Sequence, residues 1–484
     1  MDANDPSQTF AATPPLEALR FMLSKSMTGP RQTGAATKVL GFFDISRAHF
    51  HSPARRRIII KTPREDGSCT SGFGRLLVAM YGTKDAAQCF DAVCEGVMTK
   101  LEFTTGIFNP CLYFRARDGV AVFRHGDDFV VHGTRSQIET FRAELSKHLL
   151  VKHLGNLGPS AALGDKTEVR MLNRILRWVD PPYGKGRERI EYEADPRHAE
   201  IILDACGLAP GSRGVTTPGE KHSVTETTRL SPAEHSLYRS QVMRLAYLAQ
   251  DRPELQHPSK ELARRMQAPE MSDWEALKRV GRFLLTHPRC VQEFVRQIEH
   301  PKCITVCSDS DHAGCQRTRK STSSSKLFHG QHMLRSTSTT QAVISLSTGE
   351  SEFYGIVKAT SAAIGAVAML RDLGVDLEQP VDVRVKDSTD ACIEVQADAS
   401  AGIGIAMRRG AGKIRHIATP TLWVQKLVGD RKVILTKIPG TENCADLGTK
   451  HLDIKTITRC LLQCGYKFVE GRSSLAFKAT LGKT

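Results

Sequence analysis

Two adjacent aspartates, Asp127 and Asp128, are the residues whose chemistry stands out first. They lie in the stretch GVAVFRHGDDFVVHG, where one apolar run leads into the pair and another leads out. The runs predict two strands joined by a tight turn through Gly126, with both carboxylates at the tip. Because adjacent like charges repel, the pair favours a bound cation, and Mg²⁺ prefers hard oxygen ligands. The pattern indicates a nucleotidyl-transfer site, and a solvated turn is the alternative.

A third aspartate, Asp44, ends the predicted strand KVLGFFD. Side chains alternate along a strand, so Asp44 is in register with the apolar Leu40 and Phe42. An acid on an apolar face is costly unless it is paired or bound to metal. If the strands are neighbours, Asp44 joins Asp127 and Asp128 in a cluster for two Mg²⁺ ions. The alternative is that Asp44 only caps the following turn.

A second set of acids lies on separate predicted elements of the C-terminal half. Asp309 ends the strand KCITVCSDSD, and Asp387 ends VDVRVKD in register with three valines. Glu352 lies near the start of a long amphipathic helix over residues 348–373, and Asp446 follows the last predicted strand. If the four acids converge, we expect them to bind two metals that activate water against a phosphodiester. The alternative for each acid alone is a helix or turn cap or a surface charge. Glu350 and Asp311 are rival ligands that spacing does not exclude.

Charge and composition limit the class of protein. The 484 residues are 40% hydrophobic and 25% charged, which is typical of globular domains, and the net charge of +15 suits a polyanionic partner. We find no apolar run of the roughly 18 residues of a membrane span, and the first residues do not show the apolar h-region typical of a signal peptide. Thirteen scattered cysteines indicate a reducing compartment, and their spacing does not favour a zinc site.

The order of predicted elements divides the chain. Up to residue 150, strands and helices alternate in a way compatible with a ferredoxin-like βαββαβ arrangement. Residues 151–230 are poorly patterned. Residues 231–288 are helical, with Trp274, Leu277, Val280 and Leu284 along one face. An α/β block follows, with a hairpin, the long helix and a further helix over residues 415–428, and a basic tail ends the chain.

These motifs together resemble the reverse transcriptase–RNase H part of copia-type LTR retrotransposon Pol polyproteins. FFDISRAHF resembles the first catalytic motif, MYGTKDAAQCF the LYGLKQAPRAW segment, and HGDDFVV falls where the family has YVDD. YRSQVMRLAYLAQDRPEL resembles the helical connection. DSDHAGCQRTRKSTSS, SLSTGESEFYG, VKDSTDA and ENCADLGTKHL resemble the RNase H motifs. The matches keep the family order over nearly the whole chain.

The resemblance implies a multidomain α/β protein. Its parts are a partial fingers segment (1–35), a ferredoxin-like polymerase palm (36–160), a thumb or connection (161–295), an RNase H-like mixed-sheet domain (296–455) and a basic tail (456–484). The implied activities are RNA-directed DNA synthesis and hydrolysis of RNA in RNA–DNA hybrids, with Mg²⁺ or Mn²⁺ as cofactor. The implied partners are RNA template, DNA primer, hybrid, deoxynucleoside triphosphates and other parts of a Pol polyprotein, in cytoplasmic virus-like particles or the nucleus.

The resemblance also assigns residues. It carries the metal-binding catalytic role to seven acids: Asp44, Asp127, Asp128, Asp309, Glu352, Asp387 and Asp446. We expect the substrate to contact a further set of residues, which are His49, Arg55, Lys84, Arg408, Lys413 and His416. His49 stands where such polymerases place an aromatic side chain that screens the sugar 2′ position. Gly-rich basic sequence such as MRRGAGKIRH can follow a nucleic-acid backbone.

Three functions remain open at this level. His125 and Gly126 replace the Tyr and Val of the family's YVDD motif, and the family's basic fingers segment would lie before Met1. We therefore expect polymerisation by this chain to be weak. The alternatives to a reverse transcriptase–RNase H are an RNase H with an inactive polymerase half, and a non-catalytic remnant that binds nucleic acid.

Overall fold

The chain forms two compact units in a computed structural model. The structure describes residues 10–63, 65, 72–181, 186–221, 228–377, 392–412, 414–417 and 419–476. The first unit contains Met1–Ser26, Pro30–Thr167 and Ala368–Asp376, and the second contains Met27–Gly29, Glu168–Val367 and Leu377–Thr484. The second unit thus joins the predicted connection and the predicted RNase H-like region.

The first unit is built on a seven-stranded sheet. Its helices are α1 (Glu17–Ser26), α2 (Ala86–Lys100) and α3 (Arg135–Leu145). Its strands are β1 (Lys38–Ile45), β2 (Ile59–Lys61), β3 (Phe73–Arg75), β4 (Thr104–Thr105), β5 (Leu112–Arg115), β6 (Val120–His125), β7 (Asp128–Thr134), β8 (Val151–Leu157) and β9 (Asp165–Lys166). The sheet order is β4-β5-β6-β7-β1-β8-β9, and β2 pairs with β3 separately.

The centre of this sheet has the predicted βαββαβ topology. The elements β1, α2, β6, β7, α3 and β8 follow one another along the chain, with the short β2–β5 as insertions. In space the strands lie in the order β8-β1-β7-β6, and each neighbouring pair is antiparallel. Apolar residues of β1, β6, β7, α2 and α3 share one buried core, which includes Phe43, Phe129 and Phe141. That core fixes the strand ends that carry Asp44 and Asp128.

The second unit contains two five-stranded sheets. Its strands are β10 (Glu168–Met171), β11 (Arg174–Val179), β12 (Arg189–Glu193), β13 (Arg289–Val295), β14 (Cys303–Ser310), β15 (Thr322–His329), β16 (His332–Thr340), β17 (Cys392–Ala397), β18 (Val433–Lys437) and β19 (Tyr466–Val469). Its helices are α4 (Arg197–Ala205), α5 (Pro232–Leu248), α6 (Gln256–Ala263), α7 (Met271–Thr286), α8 (Thr348–Asp372), α9 (Ser400–Met407), α10 (Trp423–Gly429) and α11 (Ile454–Gln463). The last residues of α8 group with the first unit.

The mixed sheet positions the second set of acids. Its order is β16-β15-β14-β17-β18, in which β14, β15 and β16 are antiparallel neighbours. The strand β17 runs parallel to both β14 and β18. The carboxyl ends of three neighbouring strands therefore meet at one edge of the sheet. The other sheet, β10-β11-β12-β13-β19, is antiparallel throughout.

The long helix α8 matches its predicted span. Phe353 and Ile356 are fully buried, as the apolar stripe predicts, whereas Ile364 is exposed. The prediction that no segment is long and apolar enough to span a membrane is wrong for α8, which meets that test by length and composition alone. However, 56% of its most apolar window is buried inside the protein. Buried core helices pass the same test, so α8 needs no membrane.

The structure differs from the prediction in three places. The described part of residues 151–230, which showed little pattern in the sequence, contains five strands and a helix. The prediction missed these strands because short amphipathic strands give only weak periodicity. Part of the predicted tail is ordered, because α11 packs in a core and β19 pairs with β13. The helix predicted over 415–428 begins only at Trp423. The predicted strand VDVRVKD, with Asp387, lies outside the described residues.

Candidate active sites

The first unit brings two of its three acids face to face. Asp44 of β1 and Asp128 of β7 are direct partners in the antiparallel register. Asp127 lies in the two-residue turn between β6 and β7, where Gly126 adopts a φ of 64°. The backbone carbonyl of Asp127 accepts a hydrogen bond from the amide of Ile45 at 3.0 Å, which ties the turn to β1. The predicted hairpin and the predicted pairing of the strands are therefore present.

The electrostatics of this site centre on Asp128. Burial raises the pKa of Asp128 to about 6, and the charges of Asp127 and Asp44 act in the same direction. Asp44 is half-buried and Asp127 is exposed. A cation between these carboxylates would relieve the repulsion, which is the chemistry expected of a metal-dependent site.

The predicted substrate residues of the first unit lie at varied exposure. His49 is half-buried, and its ring lies 4.3 Å from that of Tyr81. Arg55 donates to Gln88 at 2.9 Å in an exposed position, and Lys84 is exposed. Arg56 differs from them because its Nε and one terminal nitrogen donate to the two carboxylate oxygens of Asp85, which holds its side chain in the fold.

The second unit contains a tighter group of acids. Asp309, Asp398 and Asp446 each offer a carboxylate oxygen, and these oxygens all lie within 4.8 Å of one another. Within the described ranges, this is the one set of three His, Cys, Asp or Glu residues close enough to hold a metal ion. Asp309 is 2% exposed, whereas Asp398 and Asp446 are half-buried. Two of the three, Asp309 and Asp446, are predicted ligands.

Asp398 is the ligand that the sequence reasoning missed. It directly follows β17, whose residues pair in parallel with β14 from Cys303↔Cys392 to Ser308↔Ala397. Asp309 follows Ser308 and Asp398 follows Ala397, so the register places the two acids side by side. The stretches CITVCSD and CIEVQAD share the spacing Cys-Ile-X-Val-X-X-Asp, and this repeat is a signal in the sequence that identifies the pair.

Asp446 reaches the group because its loop is fastened to β14. It lies on the 3-10 helix Cys444–Gly448, which Asn443 caps by accepting from the amide of Ala445. The side-chain amide of Asn443 donates to the carbonyl of Ser308 at 3.0 Å, and Asn443 is fully buried. Thr449 donates its hydroxyl to Asp309 Oδ2. Hydrogen bonds thus join the loop of Asp446 to the strand that carries Asp309.

Glu352 adds a fourth acid from α8. It is 4% exposed, and its Oε2 is a buried atom with no hydrogen-bond partner in the structure. Burial, together with the charges of Asp309 and Asp398, raises the pKa of Glu352 to about 8. A buried carboxylate oxygen without a donor is costly, and a cation beside it would remove that cost.

Glycines allow α8 to approach the acids closely. A Cβ on Gly402 of α9 would lie 2.6 Å from the Cβ of Glu352. A Cβ on Gly355 of α8 would lie 2.5 Å from the hydroxyl of Ser310 on β14. Each glycine thus permits a close approach that a side chain would block, and Gly402 lies directly against Glu352.

The rival acids have other partners. Glu350 accepts from the amide of Leu346 and from His416 Nε2, each at 2.9 Å. Asp311 Oδ1 accepts from the amide of Thr322. His416, a predicted substrate residue, is therefore anchored on Glu350, and its side chain is 46% exposed.

The remaining basic residues lie near His416 in sequence. Arg408 is half-buried, and its guanidinium donates a hydrogen bond to the carbonyl of Ala411 in the loop that follows it. Lys413 and the predicted ligand Asp387 lie outside the described residues, so their predicted roles stay predictions.

The donor set suits a hard divalent cation. The carboxylates of Asp309, Asp398 and Asp446 bring oxygen ligands close to one another, and Mg²⁺ and Mn²⁺ prefer oxygen ligands. Burial raises the pKa of Asp309 to about 6, with Asp446 and Asp398 adding to the rise and Lys450 and Thr449 opposing it. A group of like charges this close needs a counter-charge.

Comparison with known proteins identifies the relatives of the chain. A Pol polyprotein of transposon TNT 1-94 from Nicotiana tabacum, described as retrovirus-related, is 22% identical over 420 residues, 84% of this chain and 29% of that protein. The chain is a homologue of transposon Pol polyproteins. A Pol polyprotein of transposon RE2 from Arabidopsis thaliana is 25% identical over 310 residues, 63% of this chain and 20% of that protein. The predicted resemblance to this family is confirmed.

Two further results set the limits of that comparison. An uncharacterized mitochondrial protein of Arabidopsis thaliana is 28% identical over 163 residues, 33% of this chain and 65% of that protein. No family model matches the chain. The chain spans 29% or less of the length of the two Pol polyproteins, so it corresponds to one part of such a polyprotein.

Proposed function

We propose that the second unit is a ribonuclease H that hydrolyses the RNA strand of RNA–DNA hybrids. The observation that carries the proposal is the convergence of Asp309, Asp398 and Asp446, with Glu352 buried beside them. The acids lie at the carboxyl edge of a mixed sheet in which two parallel strands follow three antiparallel ones. The homology to Pol polyproteins supports a role in a retrotransposon.

The residues of the chain have distinct tasks in this proposal. Asp309, Asp398, Asp446 and Glu352 would hold Mg²⁺ or Mn²⁺, which when bound supplies an activated water and stabilises the leaving oxygen. Thr449 and Asn443 keep Asp309 and the loop of Asp446 in place. The 2′-hydroxyl of RNA would allow the site to distinguish the hybrid from duplex DNA.

The test is cleavage of a labelled RNA–DNA hybrid by the full chain with and without Mg²⁺. We expect cleavage of the RNA strand only with Mg²⁺, and no cleavage of a DNA duplex with the same sequence. The Asp309→Asn variant should bind the hybrid but not cut it. Binding without cleavage by the parent chain would instead support the non-catalytic alternative.

A second function, RNA-directed DNA synthesis, rests on the first unit. The pairing of Asp44 with Asp128 beside Asp127 is the observation that favours it, since a polymerase palm holds two metals with such acids. RNA template, DNA primer and deoxynucleoside triphosphates would be its substrates. Primer extension on an RNA template tests this function, and loss of extension in Asp128→Asn would assign it to these acids.

A further inference from the structure

Lys450 forms ion pairs with two of the three clustered acids of the second unit, Asp309 and Asp446. Its ammonium nitrogen is 2.6 Å from Asp446 Oδ1 and 3.6 Å from Asp309 Oδ2. Burial raises the pKa of Asp309 and of Glu352, and the charge of Lys450 acts in the opposite direction on both. Lys450 therefore supplies positive charge to carboxylates from a strand, a helix and a loop.

We propose that Lys450 is an internal counter-ion, which holds the carboxylates together without metal and withdraws when a divalent cation binds. The inference rests on the proposed function, since it concerns the same site. It assigns Lys450 as a positioning residue, because it acts through the acids and need not touch the substrate.

The geometry supports both halves of this inference. A divalent cation bound to Asp309 and Asp446 would use the oxygens that Lys450 contacts, so the two cations would repel each other at short range. Lys450 is able to leave, because its side chain is 46% exposed and starts from the turn after the 3-10 helix. Without any cation, the close carboxylates repel one another.

Calorimetric titration of the full chain with Mg²⁺, and separately with Mn²⁺, tests the inference without measuring activity. Lys450→Met removes the charge and keeps most of the side-chain length, whereas Lys450→Arg keeps the charge. Lys455→Met is a matched control, since Lys455 is exposed on α11. We expect Lys450→Met to bind the metal about tenfold more tightly, and the other two variants to bind like the parent.

A second measurement tests the inference even if the Lys450→Met variant folds poorly. Tryptophan fluorescence during urea unfolding reports the second unit, because Trp178, Trp274 and Trp423 all lie in it. Lys450→Met should lower the stability of the metal-free unit, and Mg²⁺ should restore more stability to it than to the parent.

The outcomes separate this inference from the proposed function. Equal metal affinity in the parent and Lys450→Met would overturn the counter-ion role, and the ribonuclease proposal would stand. Weaker binding by Lys450→Met would also overturn it. If the parent and Asp309→Asn give no heat of metal binding, the ribonuclease proposal fails together with the inference.

Discussion

The two acid groups differ in the backbone that holds them. In the first unit, Asp44 and Asp128 lie opposite each other on antiparallel strands, and Asp127 extends from the turn into solvent. In the second unit, Asp309 lies on β14 and Asp398 directly follows the parallel strand β17, and further contacts join β14 to the loop of Asp446. Among the described residues, the three acids of the first unit do not form a group whose ligand oxygens all lie within 4.8 Å of one another, whereas Asp309, Asp398 and Asp446 do.

The difference shows how topology sets the electrostatic cost of a site. Parallel neighbouring strands bring their ends to one edge, so acids at equal positions are forced together and buried. A hairpin tip leaves one acid in water, where its charge is solvated. The second group therefore depends more on a counter-charge, and Lys450 supplies one within the chain. We expect substitutions in the second group to have the larger effects.

The largest effect should come from Asp398. We expect Asp398→Asn to reduce Mg²⁺-dependent hybrid cleavage by about a thousandfold, because it removes a metal ligand beside Asp309. Hybrid binding should persist, since no phosphate contact is lost. Rates measured with the labelled hybrid check this prediction, and Asp430→Asn, an exposed acid at the end of α10, is the control.

The Asp387→Asn variant tests which aspartate is the metal ligand beside Asp309, Asp387 or Asp398. The motif assigns a metal-binding role to Asp387, whereas the structure brings Asp398 to Asp309. If Asp398 is the ligand, Asp387→Asn should retain most of the cleavage activity. Loss of cleavage in Asp387→Asn with full activity in Asp398→Asn would reverse the assignment.

These two aspartates also show how far sequence reasoning reached. The strands that end at Asp44 and Asp309, the hairpin of Asp128 and the helix of Glu352 were all predictable, because their apolar periodicity is strong. Asp387 continues the alternation of Val381, Val383 and Val385, so the sequence pattern favours it as a ligand. Asp398 breaks the alternation of Ile393, Val395 and Ala397, and its position depends on a strand pairing that periodicity does not encode.

The buried position of Glu352 predicts a pH-dependent stability of the second unit. Its pKa rises from 4.5 to about 8 on folding, so the folded state binds the proton more tightly than the unfolded state. Metal-free stability should therefore fall as the pH rises from about 5 to 8. Glu352→Gln should remove much of this dependence and stabilise the unit at pH 8 by about 2 kcal/mol.

Urea unfolding followed by tryptophan fluorescence at several pH values measures this effect. Glu442→Gln is a suitable control, because Glu442 is exposed in the same domain. A stability that does not change with pH in the metal-free parent would contradict the burial of an uncompensated carboxyl at Glu352.

Gly402 tests whether close helix packing sets the position of Glu352. Gly402→Ala would place a Cβ against Glu352 and should destabilise the unit by about 1.5 kcal/mol, with reduced cleavage. Gly404→Ala on the same helix meets open space and should be neutral or slightly stabilising. Equal behaviour of the two variants in unfolding and cleavage would exclude this role of Gly402.

The smallest effect should come from the acids of the first unit, through the raised pKa of Asp128. Folding raises the pKa of Asp128 from 3.8 to about 6, so its ionisation destabilises the folded state between about pH 4 and 6 and fully above that range. Asp128→Asn should stabilise β1 and β7 at pH 7 by about 1 kcal/mol. Hydrogen exchange of peptides from these strands measures the change, and slower exchange is expected in Asp128→Asn. Faster exchange would show that the charge of Asp128 is compensated.

The central claim is that Asp309, Asp398 and Asp446 form the cation site of the second unit. Anomalous diffraction from crystals of the full chain soaked in Mn²⁺ tests it most directly. We expect manganese bonded to oxygens of all three aspartates at roughly 2.2 Å. Manganese bound by Asp387 in place of Asp398, or no manganese at these carboxylates, would contradict it.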